Sequence, residues 1–295
     1  MSPRISCPFR RIQVGNPKPT FVREVARIDD PQFVSGQVAG HRARRLIDAP
    51  DAAFADPFVL MAEDWTPQGI FAFHPHRGIE TVAFVIEGSI EHRDSAGNGG
   101  VIHAGDAQWM TAGRGIQHEE NPSAGTIAHT LQLWVNLPAA EKTAVPRYQD
   151  LVASALPVRS ENGVEIRVFS GAYGDMISPT LNHLPVTMLE VRVENGGAFR
   201  HSFAATDNAF VYVLEGAVEI GPAGHLLEAS QLGWLTRSEE PGSSELTITA
   251  RGTAGRFLLF AARPLREPIA FGGPFVMNTQ AEIQQAFADY RAGRF

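Results

Sequence analysis

Phe84-Val85-Ile86-Glu87-Gly88-Ser89-Ile90-Glu91 and Tyr212-Val213-Leu214-Glu215-Gly216-Ala217-Val218-Glu219 share one order of residue types: an aromatic, two aliphatics, Glu-Gly, a small residue, an aliphatic and Glu. Each reads as strand, Glu-Gly turn, strand, because apolar runs flank a glycine that accepts turn dihedrals. A second shared piece follows in the same order, Gln108-Trp109-Met110-Thr111 in the first copy and Gly233-Trp234-Leu235-Thr236 in the second. Glycine to tryptophan is 21 residues in one (88 to 109) and 18 in the other (216 to 234), a difference that a shorter hairpin loop absorbs. The longer loop, Asp94 to Gly100, is rich in turn residues. Chance accounts for one shared Glu-Gly corner, whereas two pieces matched in order point to duplication. The two glycines lie 128 residues apart (216 minus 88), room for one β-barrel or sandwich per copy.

Composition agrees with an all-β reading of two tandem barrels. Hydrophobic residues are 44% and charged residues 19%, enough apolar material for a core. The 28 Gly and 20 Pro suit short strands joined by tight turns better than a helical bundle. The boundary is expected between Pro146 and Pro157, after the strand-like run Thr126 to Leu137 and its Pro138 stop; we place it at 1–148 and 149–295. Helix is expected at the end, where Thr279 and Glu282 form a capping-box pattern ahead of Ile283, Ala286, Phe287 and Tyr290 at helical spacing. That stripe reads as a docking face rather than a ligand site.

The charge balance excludes several partners. Lys and Arg total 25 against 32 Asp and Glu, a formal charge of -7, so no broad basic surface is available for a phosphate backbone and no direct nucleic-acid partner is expected. The short cluster His41-Arg42-Ala43-Arg44-Arg45 reads as a solvated strand face. The single cysteine, Cys7, excludes an internal disulfide and a multi-cysteine zinc site, in keeping with a cytoplasmic location. No apolar stretch of signal-peptide length opens the sequence, and runs such as Phe257 to Ala262 are too short to span a bilayer, so no membrane association is expected.

The chemical signal is His74-Pro75-His76 followed by His118-Glu119-Glu120. On a strand, side chains at i and i+2 share a face, so each pair can present two donors to one point. The candidate ligands are therefore His74, His76, His118 and Glu120. Three neutral imidazoles and a carboxylate suit a borderline divalent metal, and a six-coordinate ion would keep two positions for water, substrate or oxygen. A lone His-X-His is common on surface strands without any ligand; the second pair is what makes the set informative. Gly113-Arg114-Gly115, just before His118, suits either a close backbone approach or an ordinary turn. His103 and His129 have no donor two places away and read as surface residues or supports for the ligands, while His92 with Asp94 runs into the turn-rich loop and ranks below the main set.

At these residues the chain resembles the cupin superfamily and, within it, the pirin family. The matching segments are His74-Pro75-His76-Arg77-Gly78, Glu91 to Ser95, Gly105-Asp106 with Gln108 to Ile116, Leu131 to Pro138, Pro146 to Asp150 and Gly273 to Thr279. The match is dense in the first half, thinner before about residue 55, and in the second half strongest at its two ends. The resemblance implies a bicupin with iron(II), or another divalent transition metal, in the N-terminal barrel on the four residues named above. It also implies two roles, since pirin-like proteins include dioxygenases that cleave quercetin and a nuclear relative that acts as an iron-dependent transcriptional cofactor. The general cupin pattern would take Glu80 as the acidic ligand; the pirin pattern takes Glu120, which we assign.

The repeat register tests the second half. The offsets of His74 and His76 from Gly88 lead from Gly216 to Ser202 and Ala204, with His201 one residue out of phase and so aimed at the opposite face. The offsets of His118 and Glu120 from Trp109 lead from Trp234 to Ser243 and Glu245. The second barrel is therefore expected to lack a metal site. The functional expectation is a quercetinase-type dioxygenase acting on a small aromatic substrate, with Glu120 accepting the substrate's hydroxyl proton. The alternatives are a non-enzymatic metal-dependent regulator with a protein partner, or another cupin chemistry such as isomerisation. Phe73, Phe84 and Trp109 are candidates to line the pocket, with ordinary packing the competing reading for each.

Overall fold

A computed structural model describes residues 20–295; Cys7 lies outside the described residues. Both copies of the repeat form as read. Ile79–Glu87 and Asn208–Glu215 are strands of two seven-stranded sheets, and Ser89–Asp94 and Ala217–Ile220 are strands of the smaller sheets that face them. The change of sheet occurs at the Glu-Gly corner. Gly88 has φ 82° and Gly216 has φ 74°, and a Cβ would lie 2.9 Å from the Ile127 carbonyl oxygen in one and 2.3 Å from that of Ala254 in the other. Only glycine meets both demands.

Each large sheet closes over its smaller partner to make a barrel. The first pairs Phe71–His76, Ile116–Pro122, Ser89–Asp94 and Gly99–His103 against the sheet built around Ile79–Glu87, Ile127–Asn136 and Phe58–Pro67. The second places Ser243–Ala250, Ala198–Ala204 and Ala217–Ile220 against Val186–Val193, Gly255–Ala262 and Asn208–Glu215. The outer faces of the two large sheets are apolar and pack on one another. Phe58, Phe84, Trp109 and Leu133 from one meet Phe210, Tyr212, Trp234 and Phe260 from the other in one continuous core, and Phe58 and Phe210 contact edge to face at 5.1 Å. Phe84 and Trp109 thus belong to the junction between barrels, and Phe73 is 41% exposed; none of the three lines the cavity described below.

The chain ends are exchanged. Val25–Asp29 pairs with Leu232–Leu235 and Phe21–Val22 with Ser243–Ala250, both in the second barrel. The late hairpin Ala270–Gly272 and Phe275–Met277 returns to the first, where Phe275 bridges to Arg77 and Val276 packs with Val59, Ile79 and Met110. The buried Lys142 fixes that return, its Nζ donating to the carbonyls of Gly78 and Val276, each at 2.8 Å, and to Asn136 Oδ1. The expected division at 148/149 falls inside Arg147–Leu151, which ladders with Ala107–Thr111 of the first barrel. Each barrel therefore takes residues from both halves. The terminal helix Gln280–Arg291 carries the expected capping box and buries Ile283 and Ala286 against Phe275 and Met277, which places it beside the first barrel, not on the second.

The basic cluster is also not a uniformly solvated face. Arg44 is buried at the junction, paired with Glu63 Oε2 through Nη2 at 2.7 Å, and Glu63 also takes hydrogen bonds from Tyr212 and His129 at 2.7 Å each. Among the described residues no helix is long and apolar enough to cross a membrane.

Candidate metal centre

His74 and His76 sit on the edge strand Phe71–His76, and His118 on its neighbour Ile116–Pro122, with His118 directly opposite His74 in the ladder. Alternation turns all three inward, and one nitrogen from each ring lies within 4.8 Å of the others. Ring centroids are 4.5 Å apart for His74 and His118, 4.9 Å for His74 and His76, and 5.1 Å for His76 and His118. His74 Nδ1 lies 2.8 Å from the Ala72 carbonyl; donation there leaves the Nε2 lone pair free. His76 and His118 are buried with neither ring nitrogen hydrogen bonded among the described residues.

Four buried ring nitrogens without partners demand an explanation. A cation accounts for one nitrogen of each ring, since imidazole lone pairs converging on a point are what a borderline divalent metal takes. The rings are in the required form. Burial, reinforced by the neighbouring histidines, holds His76 down at about 3 and His118 well below its usual value; burial likewise lowers His74. All three are neutral at pH 7.

Glu120 follows after a register shift between His118 and Glu120. It is 9% exposed, faces the same cavity as His74 and His76, and accepts from Gln132 Nε2 at 3.1 Å. Burial pushes its carboxyl up to about 7, partly opposed by His92 and the Gln132 bond. Its cross-strand partner is His92, which stacks on Tyr148 at 5.6 Å with Asp150 beyond at 3.3 Å. His92 ranked low in the sequence, yet its i+2 phase put it on the inward face. The rival Glu80 is fully buried elsewhere, on the same face of its strand as Val82 and Phe84, accepting from Thr111 Oγ1 at 2.7 Å. His129 belongs to the Glu63 network, and His103 is exposed.

The cavity measures about 930 Å³, within the usual range for small-molecule sites. The histidine strand forms one wall, Phe271, Gly273 and Pro274 of the returning hairpin another, and Ala62, Asp64, Thr66, Thr130, Gln132 and Trp134 a third. Sequence reading found the first wall only. The hairpin wall depends on a contact across some 200 residues, and the third is spread over two strands far apart in the chain.

In the second barrel the phase differs from the expectation. Ser202, Ala204, Ser243 and Glu245 are exposed on the outer face, and it is His201 that turns inward. Counting offsets through loops of unequal length misplaced the strand by one residue. His201 stands among Tyr173, Phe199 and Phe203, with Leu246 directly opposite.

The family model "Pirin" matches residues 43–135 and "Pirin C-terminal cupin domain" residues 188–295. Pirin of Homo sapiens is 40% identical over 257 residues, covering 85% of this chain and 87% of that protein. The crystal structure of GK1651 from Geobacillus kaustophilus is 41% identical and superposes with a TM-score of 0.82 over 85% of this chain and 100% of that one. A quercetin 2,3-dioxygenase from Acinetobacter baumannii is 32% identical, with a TM-score of 0.81 over 93% of this chain and 98% of that one.

Proposed function

The chain belongs to the pirin family, and from that premise we propose that it is a dioxygenase that opens flavonols such as quercetin, using iron(II) held by His74, His76, His118 and Glu120. The observation that carries the reading is the set of buried, neutral and unpartnered imidazole nitrogens at one end of a largely apolar cavity. The likeness to a quercetin 2,3-dioxygenase supports the choice of substrate class.

When bound, the metal supplies Lewis acidity that lowers the pKa of a coordinated hydroxyl and a site where dioxygen chemistry can proceed. The protein's own part is positional and protonic. Glu120, which faces the same cavity as His74 and His76, takes the proton of the flavonol 3-hydroxyl, which leaves an electron-rich enolate. Gln132 fixes the Glu120 carboxylate from behind. Trp134, whose ring stands edge-on to His76 at 5.0 Å, and Phe271 offer flat apolar surfaces that hold an aromatic ligand and exclude water.

Metal analysis of the purified protein, then aerobic incubation of the iron-loaded form with quercetin, tests this. Oxygen uptake with loss of the flavonol absorbance is expected, and the His74→Ala variant should lose metal and turnover together. Intact metal with no oxygen uptake would sink the enzymatic reading.

A further inference from the structure

The duplication provides an internal control for the third wall of the cavity. Gln132 pairs across strands with Ala83 and Ala62, and Thr130 with Val85 and Asp64, while Thr66 faces Ala128. Adding the repeat distance of 128 takes Ala83 to Val211 and Val85 to Val213. The strand partners there are Leu259 and Phe257, which in turn pair with Leu189 and Val191, and Val193 faces Gly255. Asp64, Thr66, Thr130 and Gln132 thus stand where the second barrel has Val191, Val193, Phe257 and Leu259, all members of its apolar interior. The same lattice positions that are filled with hydrocarbon in one barrel carry oxygen in the other.

Two of those groups lack partners among the described residues. Gln132 spends its amide N–H on Glu120 and leaves Oε1 buried and unbonded. Thr66 is 1% exposed with an unbonded hydroxyl. Asp64 is buried, and its carboxylate has only the His41 ring within ion-pair reach, at 3.7 Å. Placing such groups on a barrel interior is costly unless something bonds to them. Gln132 Oε1 and the Asp64 carboxylate call for donors, and the Thr66 hydroxyl can take either role. A ligand that satisfies it brings several O–H groups on an otherwise apolar body, because the surrounding walls are Ala62, Ala83, Ile90, Trp134 and Phe271.

Resting on the flavonol reading above, we infer that Asp64, with Thr66 beside it, reads the hydroxylation of the substrate, the Asp64 carboxylate accepting hydrogen bonds from phenolic hydroxyls remote from the one at the histidines. Neither residue is one of the four proposed ligands, so loss of the preference with zinc retained would separate substrate recognition from metal binding.

The test is equilibrium binding of two flavonols to zinc-loaded protein, a redox-inert form that binds without turnover. Quercetin is compared with 3-hydroxyflavone, which keeps the metal-directed hydroxyl and lacks the others. Wild type should bind quercetin about tenfold or more tighter, the effect of one or two charge-assisted hydrogen bonds. Asp64→Val, which installs the second barrel's own residue, and Asp64→Asn, which keeps the shape, should both reduce that ratio to within about threefold of unity, with zinc stoichiometry unchanged. Equal affinity of wild type for the two flavonols, or a preference retained in both variants, overturns the inference and leaves the flavonol reading standing. Failure of zinc-loaded wild type to bind either flavonol overturns both.

Discussion

The two barrels share a corner, a strand order and a back-to-back core, and differ in what fills them. The interior of the second is lined with Val191, Phe199, Val211, Leu246, Ile248 and Phe257. The first keeps small or polar residues at corresponding positions and is left with a cavity of about 930 Å³. Histidines mark the same contrast. His74 faces His118 across the ladder, whereas His201, the inward histidine of the second barrel, faces Leu246 and is followed at i+2 by Phe203 where the first has His76. One barrel supplies apolar burial, the other forgoes part of it for a cavity that three histidines line or border, and the shared Phe58-Phe210-Trp234 core joins them.

The sharpest way to break that comparison is to delete one inward histidine from each barrel. His76→Ala should lower metal affinity at least ~100-fold, since losing a supporting contact alone costs up to that much, and turnover should vanish with the metal. His201→Ala should leave metal stoichiometry by atomic emission at the wild-type value. Metal loss from the second variant would overturn the assignment of the site to the first barrel.

Glu120→Gln comes next. It keeps the shape and the carbonyl oxygen but cannot take a proton, so kcat should fall by about 100-fold or more while Gln132 can still pack beside it. Glu245→Gln, at the position that counting along the repeat equates with Glu120, lies on the exterior and should leave kcat within about twofold, surface substitutions away from such features being nearly neutral. A steady-state oxygen-electrode assay decides both.

How far the sequence carried this contrast follows from the range of each interaction. The Glu-Gly corners and the His-X-His and His-X-Glu pairs are local patterns with a period of two, so strand geometry alone converts them into faces. Arg44 was unreadable as a buried residue: Glu63 stands opposite it on the next strand, but what covers the pair, Tyr212 on Glu63 and the Ser230 carbonyl on Arg44, comes from the other barrel. The same holds for Val25–Asp29, which crosses to the second barrel, and for Pro274, which returns to the first. The polar wall was missed for a different reason. Asp64 and Thr66 alternate in phase with Ala62, but a polar residue inside a strand declares a site only when its counterpart in the repeat is seen to be apolar.

The junction itself should respond less than the site. Burial alone would raise the Glu63 carboxyl, but donation from His129, Tyr212 and Arg44 outweighs it and holds Glu63 below the usual range. A depressed folded value stabilises the protein above the ordinary carboxylate pKa of 4.5 and ceases to do so as acid protonates the folded group. Glu63→Ala leaves the buried Arg44 guanidinium with only the half-exposed Asp30 carboxylate, at 3.0 Å, and should cost up to about 3 kcal/mol at pH 7, with a smaller difference from wild type in strong acid. Urea denaturation at the two pH values measures it; an unchanged midpoint at pH 7 would show that the barrels are held by the aromatic core alone.

The smallest effect expected is at His201, and it bears directly on why the second barrel retains a histidine. The ring lies 5.4 Å from Tyr173 and 5.5 Å from Phe203 by centroids, so it packs as one aromatic among others. Burial lowers its pKa to about 4. Between the unfolded value of 6.5 and that figure the unfolded chain binds a proton that the folded chain refuses, so wild type loses stability as pH falls through this window. His201→Phe has no such proton to bind. Phe is bulkier than His, so the variant should lose about 1 kcal/mol or more at pH 7.5, but relative to wild type it should gain up to about 2 kcal/mol between pH 7.5 and pH 5. Equal pH dependence in the two proteins would mean that the ring reaches water and titrates freely, and the second barrel would then be less completely filled than its apolar interior implies.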